Sequence, residues 1–207
     1  MRRLQFIELM VIVTLTVLIT GCGTSGVFRE PSAIKPLDEY SGHVQRDMAQ
    51  MLYPGFQEIQ SDLRERFSDK QMEFREDGLR IVEKRDGGGY TEGYYVKLIL
   101  TVYPEITATI DFLDEARVVT SKFLDPVLVA VSRDWNNVFS PSISGVVVEF
   151  HWTTGVNSTL ELVLDGRDVQ QYLNARMTMQ ELIDRSWIRA RHGERNLGRI
   201  ELNTLIS

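Results

Sequence analysis

The chain has 207 residues, with 23 Lys and Arg against 29 Asp and Glu, three His and one Cys, for a net charge of −6. Hydrophobic and charged fractions of 43% and 25% belong to a chain that buries a core, which excludes disorder, collagen and long coiled coil. The acidic balance argues against a nucleic-acid binder, whose footprint is a basic surface. A lone cysteine excludes an intrachain disulfide and every multi-cysteine metal site.

Arg2 and Arg3 give a positive start, and an apolar run of 11 residues follows from Leu9 to Ile19. A membrane-spanning helix needs about 20 mostly apolar residues, whereas a run of this size suits the core of a secretory signal peptide. The run ends in Leu18-Ile19-Thr20-Gly21-Cys22, a hydrophobic residue and two small ones before a cysteine. This order resembles the lipobox of bacterial lipoproteins. The resemblance implies that residues 1–21 are a signal peptide, cut before Cys22, and that Cys22 carries a diacylglyceryl group on its thiol and often an acyl group on its new amine. Two or three acyl chains hold a protein stably on a membrane where one holds it only marginally. An acylated Cys22 leaves no free thiol and closes cysteine chemistry. Gly23 follows the cysteine where Asp does not, which in a Gram-negative lipoprotein implies the periplasmic face of the outer membrane. Two alternatives stay open at this point. One is an ordinary secretory signal with an incidental cysteine. The other is a type IV pilin start, which Phe6-Ile7-Glu8-Leu9-Met10 resembles although Gln5 stands where that family has glycine.

Residues 22–36 hold Gly23, Gly26, Pro31 and Pro36 without periodicity and read as the lipidated cysteine and a flexible tether. Residues 37–207 then form a single domain. Leu37, Tyr40, Val44, Met48, Met51 and Leu52 keep helical spacing, Pro54-Gly55 interrupts it, and Phe56, Ile59, Leu63 and Phe67 begin a second helix. Asp77-Gly78 signals a turn, Leu79 to Val82 and Tyr94 to Tyr103 read as strands, and residues 86–93 between them read as a glycine-rich hairpin loop. A helical stripe runs from Phe112 to Val138, with Pro126 expected to kink or divide it. A second hairpin turns at Thr153–Asn157, with Val146, Val148, Phe150 and Trp152 facing Leu160, Leu162 and Leu164 on one side. Arg167 to Asp184 reads as two short helices, the second capped by Thr178 with Glu181 three residues on. Trp187 to Arg191 and Arg199 to Ile206 close as a hairpin. This order predicts an α+β domain, an antiparallel sheet built from hairpins and covered on one face by helices.

Side-chain alternation sets Glu149 and His151 opposite the apolar face of their strand, with Thr159 and Glu161 across from them. Two carboxylates and an imidazole are the types that hold a divalent metal or activate water, so this trio is the best acid–base cluster. A solvated outer sheet face accounts for the same residues. His43 and His192 sit among charged neighbours. Ser158 lacks a nucleophile elbow. The sequence Gly87 to Glu92 fails as a phosphate loop because Glu92 stands where the last glycine would. Tyr90, Tyr94 and Tyr95 could stack on a partner or pack in the strand. Residues 185–207 place five arginines (Arg185, Arg189, Arg191, Arg195 and Arg199) against Glu194 and Glu201, and Trp187 shares a strand face with Arg189 and Arg191.

Together these features predict a lipid-anchored bacterial envelope protein that is not a catalyst, needs no cofactor or metal, and binds or scaffolds another envelope component. Its expected contacts are the membrane through Cys22 and an envelope protein or wall polymer, engaged through Tyr90, Tyr94, Tyr95, Trp187, Arg189 and Arg191. No nucleic acid is among them. The alternative is an envelope hydrolase, possibly metal-dependent, working from the face of Glu149, His151 and Glu161.

Overall fold

The computed structural model describes residues 32–69, 71–84, 93–106, 111–133 and 142–202. The expected signal peptide, Cys22, the tether up to Pro31, the loop bearing Tyr90 and Val138 lie outside them. Six strands, β1 (Met72–Lys84), β2 (Gly93–Val102), β3 (Ile143–Thr153), β4 (Asn157–Asp165), β5 (Trp187–His192) and β6 (Arg195–Arg199), lie side by side in chain order. Three hairpins supply β1–β2, β3–β4 and β5–β6, so the α+β class holds. The sheet is not antiparallel throughout: β2 and β3 run parallel, because helix α2 (Phe112–Arg133) carries the chain back to the end where β2 began.

Alternation gives the sheet one oily face. Leu79, Leu98, Val148, Leu162 and Ile188 form a row across five strands, each at most 2% exposed. Helix α1 (His43–Arg66) packs over β1 and against α2, burying Met48, Leu52, Phe56, Ile59 and Leu63 at steps of three and four residues. Pro54 does not divide it. The stripe stays in phase through the proline, and burying side chains such as Phe56, at about 2 kcal/mol each, offsets the lost backbone bond. Met51 and Val44, expected on the buried stripe, are exposed at its flank. Helix α2 likewise runs through Pro126 and buries Val119, Phe123, Val127 and Ala130. Two short helices, α3 (Gly166–Leu173) and α4 (Met179–Arg185), follow β4, and α4 starts with the expected capping box of Thr178 and Glu181.

The Asp77-Gly78 turn is a bulge inside one strand: β1 registers with β2 up to Phe74 and resumes at Leu79. Asp77 has φ 51°, and a Cβ on Gly78 would stand 2.6 Å from the Ile99 carbonyl oxygen, so only glycine fits. Residues 32–36 belong to the domain rather than to a free tether. Ile34 bridges Leu79 in parallel along the outer edge of β1. The Leu79 and Asp77 N–H groups donate to Ala33 and Ser32 carbonyls at 2.8 and 3.2 Å, and Lys35 N–H donates to the Leu79 carbonyl at 3.0 Å. The closing hairpin also differs from expectation. It turns at Gly193-Glu194, so β6 starts at Arg195, and Arg199 ends the strand instead of opening it.

Candidate functional site

The second face of the sheet carries no apolar row of comparable length. Near its middle, Tyr95, Val147 and Val163 form a small buried cluster flanked by Val82 and Trp187. Gly145 makes room for it: a Cβ there would meet the Tyr95 ring at 3.0 Å and the Leu164 carbonyl at 2.0 Å.

Beside this cluster, strand register assembles the expected trio and adds three cations. Glu149 pairs with Glu161 across β3–β4, and His151 lies two residues along β3 on the same face. The Lys97 ammonium from β2, only 8% exposed as a residue, sits between the two carboxylates. It pairs with Glu149 and, at 2.8 Å, with Glu161 Oε2. Lys84 Nζ reaches Glu161 Oε1 at 3.2 Å, while His151 Nε2 lies 2.6 Å from Glu149 Oε1. Arg75, lifted onto this face at the β1 bulge, places a guanidinium nitrogen 3.3 Å from His151 Nδ1. Guanidinium can only donate, so Nδ1 accepts, and the neutral ring with its hydrogen on Nε2 donates to Glu149. The result is one connected chain, Arg75, His151, Glu149, Lys97, Glu161, Lys84, whose charges alternate from Glu149 onward.

Burial alone would raise the Glu149 carboxyl, but hydrogen bonds from His151 and Lys97 and the charge of Lys97 outweigh it and hold the pKa at about 2. For Glu161, burial is likewise overcome by Lys97 and Lys84, and the carboxyl is lowered. Both therefore stay ionised at neutral pH, which makes them poor proton donors, and each oxygen faces a donor already. Among the described residues no three His, Cys, Asp or Glu side chains converge as metal ligands would. Lys97 occupies the place between Glu149 and Glu161 where a bound cation would stand. It was not singled out in the sequence, where it interrupts an otherwise apolar run. That interruption, at an outward-facing parity, is the one local signal of its role.

At the far side of the sheet, Trp187 lies between two arginines: the guanidinium carbons of Arg199 and Arg189 stand 4.5 and 6.0 Å from its ring centroid. Arg191 and Arg195 are exposed, and Arg185 pairs with Asp168 at 3.3 Å. The expected union of Trp187, Arg189 and Arg191 on one face is met. Beneath it, α4 and the segment after β6 enclose a cleft of about 550 Å³ lined by Ile183, Ile188, Ile200 and Leu202 with Asp184 and Glu201.

The tyrosines do not form one surface. Tyr95 is 1% exposed within the small cluster, Tyr94 points to the opposite face and packs on the main core, and Tyr90 lies outside the described residues. His192 is not isolated: register sets it beside Ser158, whose hydroxyl is 2.9 Å from Nδ1, and its ring packs 5.4 Å from that of Phe112. Ser158 is 1% exposed, so its hydroxyl is closed to a substrate. His43 is exposed at the start of α1. No helix among the described residues is long and apolar enough to cross a membrane. Comparison with known proteins finds no family model, no curated sequence and no solved structure that matches this chain.

Proposed function

We propose that this chain is a lipid-anchored protein of the bacterial envelope, on the periplasmic side of the outer membrane in a Gram-negative cell. In this reading it is non-catalytic and binds or scaffolds another envelope component. The anchor rests on the leader sequence ending at Cys22. One structural observation carries the binding role. The acid–base side chains of the outer sheet face are closed into a single ion-pair chain, whereas the arginines of the β5–β6 end stand exposed around Trp187. A face whose carboxylates are neutralised by lysine has little left to offer a substrate. An exposed cationic end offers docking charge.

Two experiments test this. In cells, Cys22→Ser is expected to leave the membrane fraction or to accumulate unprocessed; unchanged membrane association would overturn the anchor. Crosslinking in intact cells should capture a defined partner. Stoichiometric divalent metal in untagged protein, lost in Glu149→Ala, would instead favour the hydrolase alternative.

A further inference from the structure

The two edges of the sheet are treated differently. The β1 edge is covered by Ser32–Lys35 through three backbone hydrogen bonds. Among the described residues β6 pairs only with β5, and none of them covers its outer side. An open edge offers backbone donors and acceptors to another strand, and proteins commonly guard such edges with charge. Here the guard is selective. β6 is bulged at Leu197, where its register against β5 shifts, so Arg195 and Arg199 stand exposed on opposite faces of the strand, and a second copy of the same sign is unfavourable beside them. The same edge suits a strand of the opposite sign.

We infer that β6 receives an extended acidic segment of a partner protein as a seventh strand, with acidic and apolar residues alternating along it. The inference deepens the binding role proposed above and rests on it. Alternation follows from what lies on each side of the edge. Toward the outer face, an added strand meets Arg199, stacked on Trp187, with Arg189 and Arg191 behind it. Among the described residues neither Arg191 nor Arg199 is held in a salt bridge. Toward the helix-covered face, it meets the cleft at the end of β6, where Ile183, Ile188 and Ile200 supply apolar wall. Asp184 and Glu201 line that cleft together with Arg199, so its charges are partly balanced; apolar side chains fit against the isoleucines, and acidic ones belong on the outer parity with Arg189, Arg191 and the Trp187 side of Arg199. Stacking on Trp187 orders the Arg199 guanidinium before binding, which lowers the entropy lost on docking. Asn196 Oδ1 accepts from Gly198 N–H at 2.9 Å, an engagement within β6 that the incoming strand must tolerate or replace. A polyanionic wall polymer would satisfy the arginines but would use neither the backbone edge nor the isoleucines.

The test uses the full lipidated protein in uncharged detergent and a fluorescent ten-residue peptide of alternating Glu and Val. That peptide should bind at least tenfold tighter than a Lys/Val counterpart. It should also bind at least tenfold tighter than the same Glu/Val peptide N-methylated at alternate residues, which keeps charge but blocks strand pairing. Arg191→Glu combined with Arg199→Glu, both at exposed positions, should reverse the Glu/Val to Lys/Val preference. Absence of Glu/Val binding would overturn the inference. Equal binding of the N-methylated peptide would do the same, as would polyphosphate competing as well as unlabelled peptide of equal charge, since either result describes a point-charge site. In cells, a photocrosslinker at Leu197 should capture the partner and one at Met51 on α1 should not. Capture at Met51 alone would remove this inference while leaving the envelope role standing.

Discussion

Lys97 and Glu149 carry the outer sheet face between them. Glu149 has its carboxyl lowered from 4.5 to about 2 in the folded protein, so its contribution to stability is complete above the unfolded value. It is lost as pH falls through the window from about 4.5 to about 2. A gap of that size corresponds to a contribution on the order of 3 kcal/mol. Urea denaturation of Glu149→Gln and the parent should therefore differ most near neutral pH and converge toward pH 2; a constant difference would contradict the ion-pair account. Lys97→Met leaves two ionised carboxylates facing one another and is expected to cost about 3–5 kcal/mol at neutral pH. Because protonation relieves that repulsion, the cost should shrink as the pH is lowered toward 4, measured by the same denaturation series. The trio of Glu149, His151 and Glu161 was legible from alternation alone. Lys97, Lys84 and Arg75 were not, since they reach it from strands more than 50 residues away in sequence.

At the scale of elements, the strap Ser32–Lys35 is the piece that composition misread. Prolines and glycines without periodicity read as tether, yet Ala33 and Ile34 are buried and the backbone bonds to β1. Two buried apolar residues in a polar stretch are too few to make a period, so only the edge they cover reveals them. Ile34→Ala is expected to cost about 2–3 kcal/mol and to speed hydrogen exchange at the Asp77 and Leu79 amides more than elsewhere in β1. Uniform acceleration across the sheet would mean that the strap does not act as a local edge cover. Pro54 and Pro126 show the converse error. Pro54 predicted a break and Pro126 a kink or a break; neither divides its helix, because the buried stripe continues on both sides of the proline.

For the whole molecule, one hydrophobic cluster links Ile34 at one sheet edge, helices α1 to α4 and Leu202 at the other. No described layer has a core of its own beyond the small group of Tyr95, Val147 and Val163 on the outer face. Unfolding should therefore be a single cooperative transition, with tryptophan fluorescence and far-UV circular dichroism giving coincident urea curves. Separate transitions would show that the β5–β6 end unfolds independently.

The sequence alone determined the period of most segments, and hence the α+β class, the presence of three hairpins though not the bounds of the last, the buried face of β3 and β4 and the polar face of Glu149, His151 and Glu161. It also supplied the expectation of a lipid anchor at Cys22. These are properties of neighbours along the chain, where alternation and helical spacing act within a few residues. Tertiary structure decided the parallel β2–β3 pair, the lysine between the carboxylates, the strap on β1 and a β6 edge that no described residue covers. Each depends on register between distant segments, and register is set by how the whole sheet buries its oily face.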